Sequence, residues 1–400
     1  MLSNTQTVDN RLIDVDTHFA EPPDLWTSRA PSKYKDRVLH VKQKDNGAQA
    51  WFIEGREVGI IGASVLKTDN TKELYVHTMP TFEAMGRASS YAPERLQLMD
   101  ATGVSHQIIY PNIIGFGAQA LMQMSPDVAL RQWHVEAYND AILDLQIQSK
   151  GRLRPQAALP LWDIDASLKE LRRIRKNGLS GVVMSNKPEH FGQPPLGNKV
   201  WEPFFATCQD LGLPVNFHIG SGHGWEEGIE RWWNEDKTVT RPDRSLNGPL
   251  AVFVSVSAFL NNSIDVSNLL LSGILERFPR LRFVSVESGV GWLPFLVQAI
   301  EYNWREMVTP SERGKFKRSI REMVAEQIFA SYWFESRNAV EYFVSELGDN
   351  SIMFQTDFPH PCSLYPGVQD KAEETLGRLP AATRHKIMRG NAASVYNIAS

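Results

Sequence analysis

The chain has 400 residues, of which 42% are hydrophobic and 22% are charged, and its formal net charge is −4. This composition is typical of a globular protein with a large core, and the small net charge gives no electrostatic basis for binding nucleic acid or an anionic membrane surface. No apolar stretch is long enough to span a bilayer, so we expect neither nucleic acid nor a membrane among its partners.

The cysteine content and the N-terminus bear on location. Cys208 and Cys362 are the two cysteines and lie far apart in the sequence, so they cannot form a disulfide framework or a cysteine zinc site. The first ten residues are polar and lack the apolar core of a secretion signal. We therefore expect a reducing, cytoplasmic location.

Residues 13–22 (IDVDTHFAEP) predict a buried strand that ends in polar side chains. Because side chains alternate between the two faces of a strand, Asp14, Asp16 and His18 should share one face. Two carboxylates and an imidazole inside a protein need a metal ion or a cationic partner. The alternative is a polar strand end with a turn-capping aspartate and a hydrogen-bonded core histidine, and only further ligands elsewhere in the chain favour the metal.

Alternating strands and helices over the whole chain predict a (β/α)8 TIM-like barrel in a single domain, 1–400. A doubly wound sheet is the competing fold. His18, His218, Glu287 and Asp357 all end predicted strands, and a barrel brings all such ends to one face, whereas an open sheet brings together only neighbours. The strands are predicted at 13–18, 105–111, 153–159, 181–184, 213–218, 281–287, 327–330 and 352–357, and helices at 93–102, 126–149, 164–176, 199–211, 266–278, 292–307 and 337–347.

Two segments interrupt the barrel pattern. Residues 40–63 alternate in short runs with turn signals, which predicts a β-hairpin insertion after the first strand. Residues 67–92 have no clear period and predict an excursion over the surface, so the insertion spans about 40–92. A polar loop at about 223–250 has the length of a lid, and His223 and Trp225 within it are candidates for contacting an organic substrate, although a solvated loop also explains it.

Other strand ends supply candidate chemistry. His218 adds a second imidazole, and two imidazoles with carboxylates suit a divalent metal ion, zinc first and manganese second. Asp357, in the sequence TDFPH, can bind a metal or take a proton from metal-bound water, with His360 as its orienting partner, or it can cap a helix. Glu287 can be a ligand, a general base or an arginine partner. Asn112, after the second strand, can line the pocket or cap a turn.

These residues together resemble the amidohydrolase superfamily, in the amidohydrolase-related branch that includes aminocarboxymuconate semialdehyde decarboxylase and the resorcylate decarboxylases. The resemblance covers about 12–393 and rests on the first-strand sequence DTH, on His218 and on TDFPH at 356–360. It implies a metal-dependent barrel in which Asp16, His18, His218 and Asp357 bind the metal ion. Two departures matter: Asp16 replaces the first histidine of the family's His-x-His pair, and Glu287 stands where the decarboxylases usually have a histidine.

Because that histidine is the expected proton carrier for decarboxylation, its replacement favours hydrolysis. We predict a metal-dependent hydrolase that acts on a small aromatic or carboxylate-bearing molecule through metal-activated water, with Asp357, Glu287 and His218 as catalytic residues. A non-oxidative decarboxylase on the same site is the first alternative, since Glu287 or His223 could supply the proton. A catalytically inactive barrel that only binds a ligand is the second. A homodimer is also predicted, because the insertion has no evident task within one barrel.

Overall fold

In the computed structural model, which describes residues 11–221 and 249–399, all eight predicted barrel strands are present. Three more strands belong to the insertion. The strands are β1 (Leu12–His18), β2 (His40–Gln43), β3 (Gln49–Ile53), β4 (Arg56–Ile60), β5 (Val104–Tyr110), β6 (Leu153–Pro155), β7 (Val182–Val183), β8 (Val215–His218), β9 (Phe283–Val286), β10 (Ile328–Tyr332) and β11 (Ile352–Phe354).

The barrel wall consists of two parallel sheets, one with the order β1-β5-β6 and one with the order β11-β10-β9-β8-β7. Parallel bridges join their edges, from Ala157 to Val182 on one side and from Thr17 to Phe358 on the other. The His18 amide also donates to the Phe358 carbonyl at 2.6 Å. The last strand therefore returns to the first, and the closed barrel prediction is confirmed over the doubly wound sheet.

Helical segments separate the strands, and their starts follow the sequence. Asp127 caps α3 by accepting from two backbone amides, and Asp163 caps α4 in the same way with one. No helix in the described ranges has both the length and the apolar character needed to cross a lipid bilayer. The helices are α1 (Ala92–Ala101), α2 (Ala120–Met124), α3 (Val128–Gln148), α4 (Ile164–Asn177), α5 (Glu202–Leu211), α6 (Pro249–Leu271), α7 (Ile274–Arg277), α8 (Trp292–Met307), α9 (Pro310–Arg313), α10 (Ile320–Gln327), α11 (Arg337–Leu347), α12 (Val368–Leu376), α13 (Ala381–His385) and α14 (Asn391–Val395).

One helix differs clearly from its prediction. The helix expected at 266–278 instead begins at Pro249 and ends at Leu271. No glycine interrupts the sequence between these residues, and the helix stops before Gly273, whose φ of 78° is left-handed. The sequence from Pro249 to Leu271 is therefore compatible with one continuous helix, and the short α7 begins after Gly273.

The predicted insertion contains one strand more than a hairpin needs, because β2, β3 and β4 form an antiparallel sheet with two turns. It packs on its own barrel. Trp51 on β3 is fully buried and meets Trp26 edge to face, with ring centroids 5.2 Å apart. The expected surface excursion at 67–92 is wrong in part, because Met79 and Met85 are buried in a cluster with Ala20. Buried residues in irregular backbone do not recur with a regular period, so the sequence pattern does not reveal them.

Candidate active site

The C-terminal ends of β1, β8 and β11 bring together the four residues that the resemblance implies as metal ligands. His18 and His218 are completely buried, and their Nε2 atoms are 3.3 Å apart. Asp16 Oδ1 lies 3.3 Å from His218 Nε2 and 3.5 Å from His18 Nε2. Asp357 Oδ1 lies 3.3 Å from His18 Nε2. Residues far apart in sequence thus meet at one buried point.

Glu287, at the end of β9, joins this group. Its Oε2 lies 3.4 Å from His218 Nε2, and its side chain is 12% exposed where the other four are closed off almost entirely. One donor atom each from Glu287, Asp16, His18 and His218 lies within a 4.8 Å span. Of the three roles open to it, partnership with an arginine is the one that its described contacts do not support.

Gln355 holds the two sides of this group together. Its Nε2 donates to Asp16 Oδ2 at 3.0 Å, while its Oε1 accepts from the Glu287 amide at 3.1 Å. Sequence reasoning missed Gln355. The signal was available, because Gln355 lies two residues before Asp357 on a predicted strand, and such residues share a face.

The donor atoms fit a divalent cation. Asp16 Oδ1 is buried and accepts no hydrogen bond of standard geometry, although its other oxygen is satisfied by Gln355. An anionic oxygen left in this state inside a protein is costly unless a cation compensates it. Carboxylate oxygens and imidazole nitrogens converging at this spacing are the donors that divalent transition metals take.

Burial and repulsion shift the pKa values of the group. Burial, followed by the charge of Asp357, raises the pKa of Glu287 well above its usual range. Burial, followed by the charge of Asp16, does the same to the pKa of Asp357. Burial would lower the pKa of His218, but the Asp16 and Glu287 carboxylates outweigh it and raise that pKa. Burial and the neighbouring imidazoles lower the pKa of His18. A bound cation would instead favour the charged form of the carboxyl groups that bind it and the neutral form of the imidazoles that bind it.

Asp14 does not join the group, contrary to the expectation that it shares a face with Asp16 and His18. The pairing of β1 is irregular between Asp14 and Thr17. The Asp14 carboxyl accepts from the Thr356 amide at 2.8 Å and from the Thr356 hydroxyl at 2.5 Å. Burial raises its pKa to about 7. Asp14 is therefore a buried hydrogen-bond partner of Thr356, which agrees with the polar strand end of the alternative interpretation.

The candidate substrate-binding residues fall into two sets. Asn112 lies next to the group, but its Nδ2 donates to the Phe19 carbonyl at 3.0 Å and its amide donates to Glu21 Oε1 at 2.8 Å. Most of its polar atoms are thus engaged by the protein. His223 and Trp225, with nearly all of the lid-like loop predicted at 223–250, lie outside the described residues. Phe116, which sequence reasoning missed, stacks on His218 with ring centroids 3.9 Å apart.

With this geometry, the comparisons with known proteins identify the class. The amidohydrolase family model matches residues 13–398, so the chain belongs to the amidohydrolase family. The expectation of a metal-dependent amidohydrolase-related enzyme, hydrolase or decarboxylase, is confirmed.

Among its relatives is the gamma-resorcylate decarboxylase of Rhodococcus jostii, to which it is 26% identical over 328 residues, or 79% of this chain and 90% of that protein. Among solved structures, an amidohydrolase from Mycobacterium avium subsp. paratuberculosis superposes with a TM-score of 0.71 at 18% identity, covering 96% of this chain and 99% of that one. The dihydroxybenzoic acid decarboxylase of Polaromonas sp. JS666, solved with manganese and 2-nitroresorcinol, superposes with a TM-score of 0.62 at 18% identity, covering 97% of both chains.

Proposed function

We propose that the protein is a metal-dependent, non-oxidative decarboxylase of a small aromatic acid. The sequence favours hydrolysis, because a histidine proton carrier is missing after the sixth barrel strand, and leaves decarboxylation as the first alternative. The observation that carries the proposal is the position of Glu287, whose carboxyl group lies 3.4 Å from His218 at that strand end. A proton carrier is therefore available. Similarity to a gamma-resorcylate decarboxylase over most of both chains supports the same conclusion.

The reaction breaks the bond between a ring carbon and its carboxylate carbon, releases carbon dioxide and places a proton on the ring carbon. No water is consumed. A divalent metal ion would be held by Asp16, His18, His218 and Asp357. It would orient the substrate and stabilise the negative charge that develops on it. Glu287, the most exposed member of the group, gives its proton to the ring carbon and regains one from solvent. The buried side chains around it keep bulk water from competing.

The donor set favours manganese over the zinc that the sequence favoured. Asp16 and Asp357 contribute carboxylate oxygens beside two imidazoles, and oxygen donors suit manganese whereas imidazoles suit zinc. We propose manganese as the working ion and zinc as a weaker substitute. Activity of metal-free protein reconstituted with each ion separates the two.

The assay that tests the function distinguishes both reactions. Manganese-loaded protein is incubated with dihydroxybenzoic acids in deuterium oxide, and separately in water labelled with oxygen-18. We expect carbon dioxide release with one deuterium on the ring of the aromatic product and no oxygen-18 in that aromatic product. Glu287→Gln, which keeps the shape and removes the acid, should lower the rate about 100-fold or more. Cleavage of esters or amides with oxygen-18 incorporation would favour the hydrolase, and ligand binding without turnover would favour an inactive barrel.

We further propose that the protein is a homodimer, on different grounds from the sequence, because the insertion packs on its own barrel. Exposed apolar side chains on α6 recur at every fourth position, with Val252 63%, Val256 45%, Leu260 56% and Ile264 64% exposed. They form one helix face, and no charged residue occurs at positions 251–264. The same α6 face of a second copy, related by a two-fold axis, would cover these side chains. Light scattering should give a dimer that Leu260→Glu dissociates, and a wild-type monomer would contradict the proposal.

A cytoplasmic location also stays a proposal. It is supported by the two free cysteines, of which Cys208 is buried and Cys362 is exposed. Localisation of the tagged chain in cells would test it.

A further inference from the structure

We propose that His360 is a positioning residue that holds Asp357 in place within the active site and is itself oriented by Asn112. The inference rests on the proposed function in so far as Asp357 serves the metal-dependent reaction. It adds a residue for which the chemistry described above has no task.

His360 contacts Asp357 in two ways. Its backbone amide donates to the Asp357 carbonyl at 2.9 Å, which closes a turn directly after the eighth barrel strand. Its ring nitrogen Nδ1 lies 2.8 Å from Asp357 Oδ1. This contact is close, although its angle lies outside the usual range for a ring N–H hydrogen bond. The carboxyl oxygen that faces His18 is thus the same oxygen that His360 contacts.

The ring of His360 is fixed on two further sides. It stacks on the ring of His18, with centroids 3.6 Å apart and planes 16° apart. Its Nε2 lies 3.3 Å from Asn112 Oδ1. Because Asn112 Nδ2 donates to the Phe19 carbonyl, the amide oxygen is the atom that must face the ring. Each ring nitrogen of His360 thus faces an oxygen atom, Nδ1 that of Asp357 and Nε2 that of Asn112.

Asp357 needs such support. Its φ is 59°, in the left-handed region that side chains other than glycine rarely adopt. Residues persist in this conformation only where their surroundings hold them. The backbone and ring contacts of His360 supply part of that restraint, and groups that orient metal ligands typically change metal affinity or activity 10- to 100-fold when lost.

Three variants separate the two ring nitrogens. In His360→Asn the amide nitrogen takes the place of Nδ1 near Asp357 and the contact to Asn112 is lost. In His360→Gln the amide reaches the place of Nε2 near Asn112 and leaves Asp357 without a polar contact from the side chain at position 360. His360→Phe keeps a ring to stack on His18 and loses both nitrogens. The exposed His385, changed to Asn, is the matched control.

The readouts are manganese affinity, kcat, KM and thermal stability, all on the full chain. We expect His360→Phe and His360→Gln to lose manganese affinity and kcat about 10- to 100-fold with little change in KM, whereas His360→Asn stays within about fivefold of wild type. Asn112→Leu should lower kcat less, and it should have no further effect when combined with His360→Phe, because both act through one ring.

Two results would overturn the proposal. One is a folded His360→Phe protein with the manganese affinity and kcat of wild type. The other is a His360→Asn protein that folds and performs no better than His360→Gln, which would show that the contact to Asp357 has no effect. If the wild type releases no carbon dioxide from any acid, the proposed function fails. The manganese affinities of the same variants still test His360 in that case.

Discussion

Glu287 and Asp357 share one backbone conformation, with a φ of 59° at each, and both side chains enter the same buried group. Left-handed conformations of this kind cost about 1–3 kcal/mol at a residue other than glycine. Burial, followed by the charge of Asp357, also raises the pKa of Glu287, whereas a side-chain hydrogen bond with Glu287 lowers the pKa of Asp357 against the larger effect of burial. The left-handed conformations of these two residues therefore lower the stability of the fold, and the strain lies in the proposed active site.

Glycine at position 287 should relieve this strain. We expect the free energy of unfolding of Glu287→Gly to be about 1 kcal/mol higher than that of Glu287→Ala, because alanine keeps the penalty of the left-handed backbone and glycine does not. Chemical denaturation of both metal-free variants measures the difference. Both should be inactive. An alanine variant as stable as the glycine variant would show that the backbone is unstrained there.

Metal content should depend on His218. Purified wild type should carry about one equivalent of manganese or zinc, and His218→Ala should carry almost none, because a buried imidazole nitrogen is lost from the donor group. Elemental analysis measures this, with His385→Ala as the control that keeps its metal. Protein without metal in both wild type and variant would contradict the ligand assignment.

His134 should make the fold sensitive to acid. It is buried, its Nε2 accepts from the Leu39 amide at 3.2 Å, and its Nδ1 faces the Leu130 carbonyl at 2.8 Å. Burial lowers its pKa to about 4. Because the unfolded chain binds this proton more tightly, the stability that neutral His134 contributes is complete above about pH 6.5 and is lost as pH falls toward 4.

The loss should reach about 2 kcal/mol at pH 5. Denaturant unfolding of wild type and His134→Gln at pH 7.5 and pH 5 tests this, since the difference between the two proteins removes the contribution of every other titrating group. We expect the advantage of the wild type to shrink by that amount at pH 5. A difference that is the same at both pH values would show that His134 does not titrate as described.

The insertion should contribute to global stability. Trp51 is fully buried against Trp26, so Trp51→Ala should lower the free energy of unfolding by about 3–5 kcal/mol. Tyr75, in the same insertion, is 95% exposed, and Tyr75→Ala should change it by less than about 0.5 kcal/mol. Equal effects in a denaturant series would mean that the insertion unfolds independently of the barrel.

The sequence predicts the strand ends because the closed barrel has simple rules. Once eight strands alternate with helices, the positions of His18, His218 and Asp357 follow, since the C-terminal strand ends must meet. The fold, the strand order and the convergence of the predicted ligands could all be derived in this way.

Other features depend on contacts that no local pattern encodes. Gln355 matters because two separate elements approach it, and Asp14 leaves the group because the pairing of β1 is irregular. Trp51 packs against Trp26, which belongs to a different segment of the chain, and no local sequence pattern indicates that contact. The start of α6 at Pro249 shows the same limit, because serines and asparagines spread around an apolar helix give a weak period.

The seam of the barrel has a consequence for synthesis. Asp16 and Gln355, which bond at that seam, are separated by 339 positions in the chain. Asp16 and His18 leave the ribosome at the start of translation, but Gln355 and Asp357 emerge only when the chain is nearly finished. The buried donor group is therefore incomplete in the nascent chain until β11 has been made. Docking of the last strand on the first is the step that completes it.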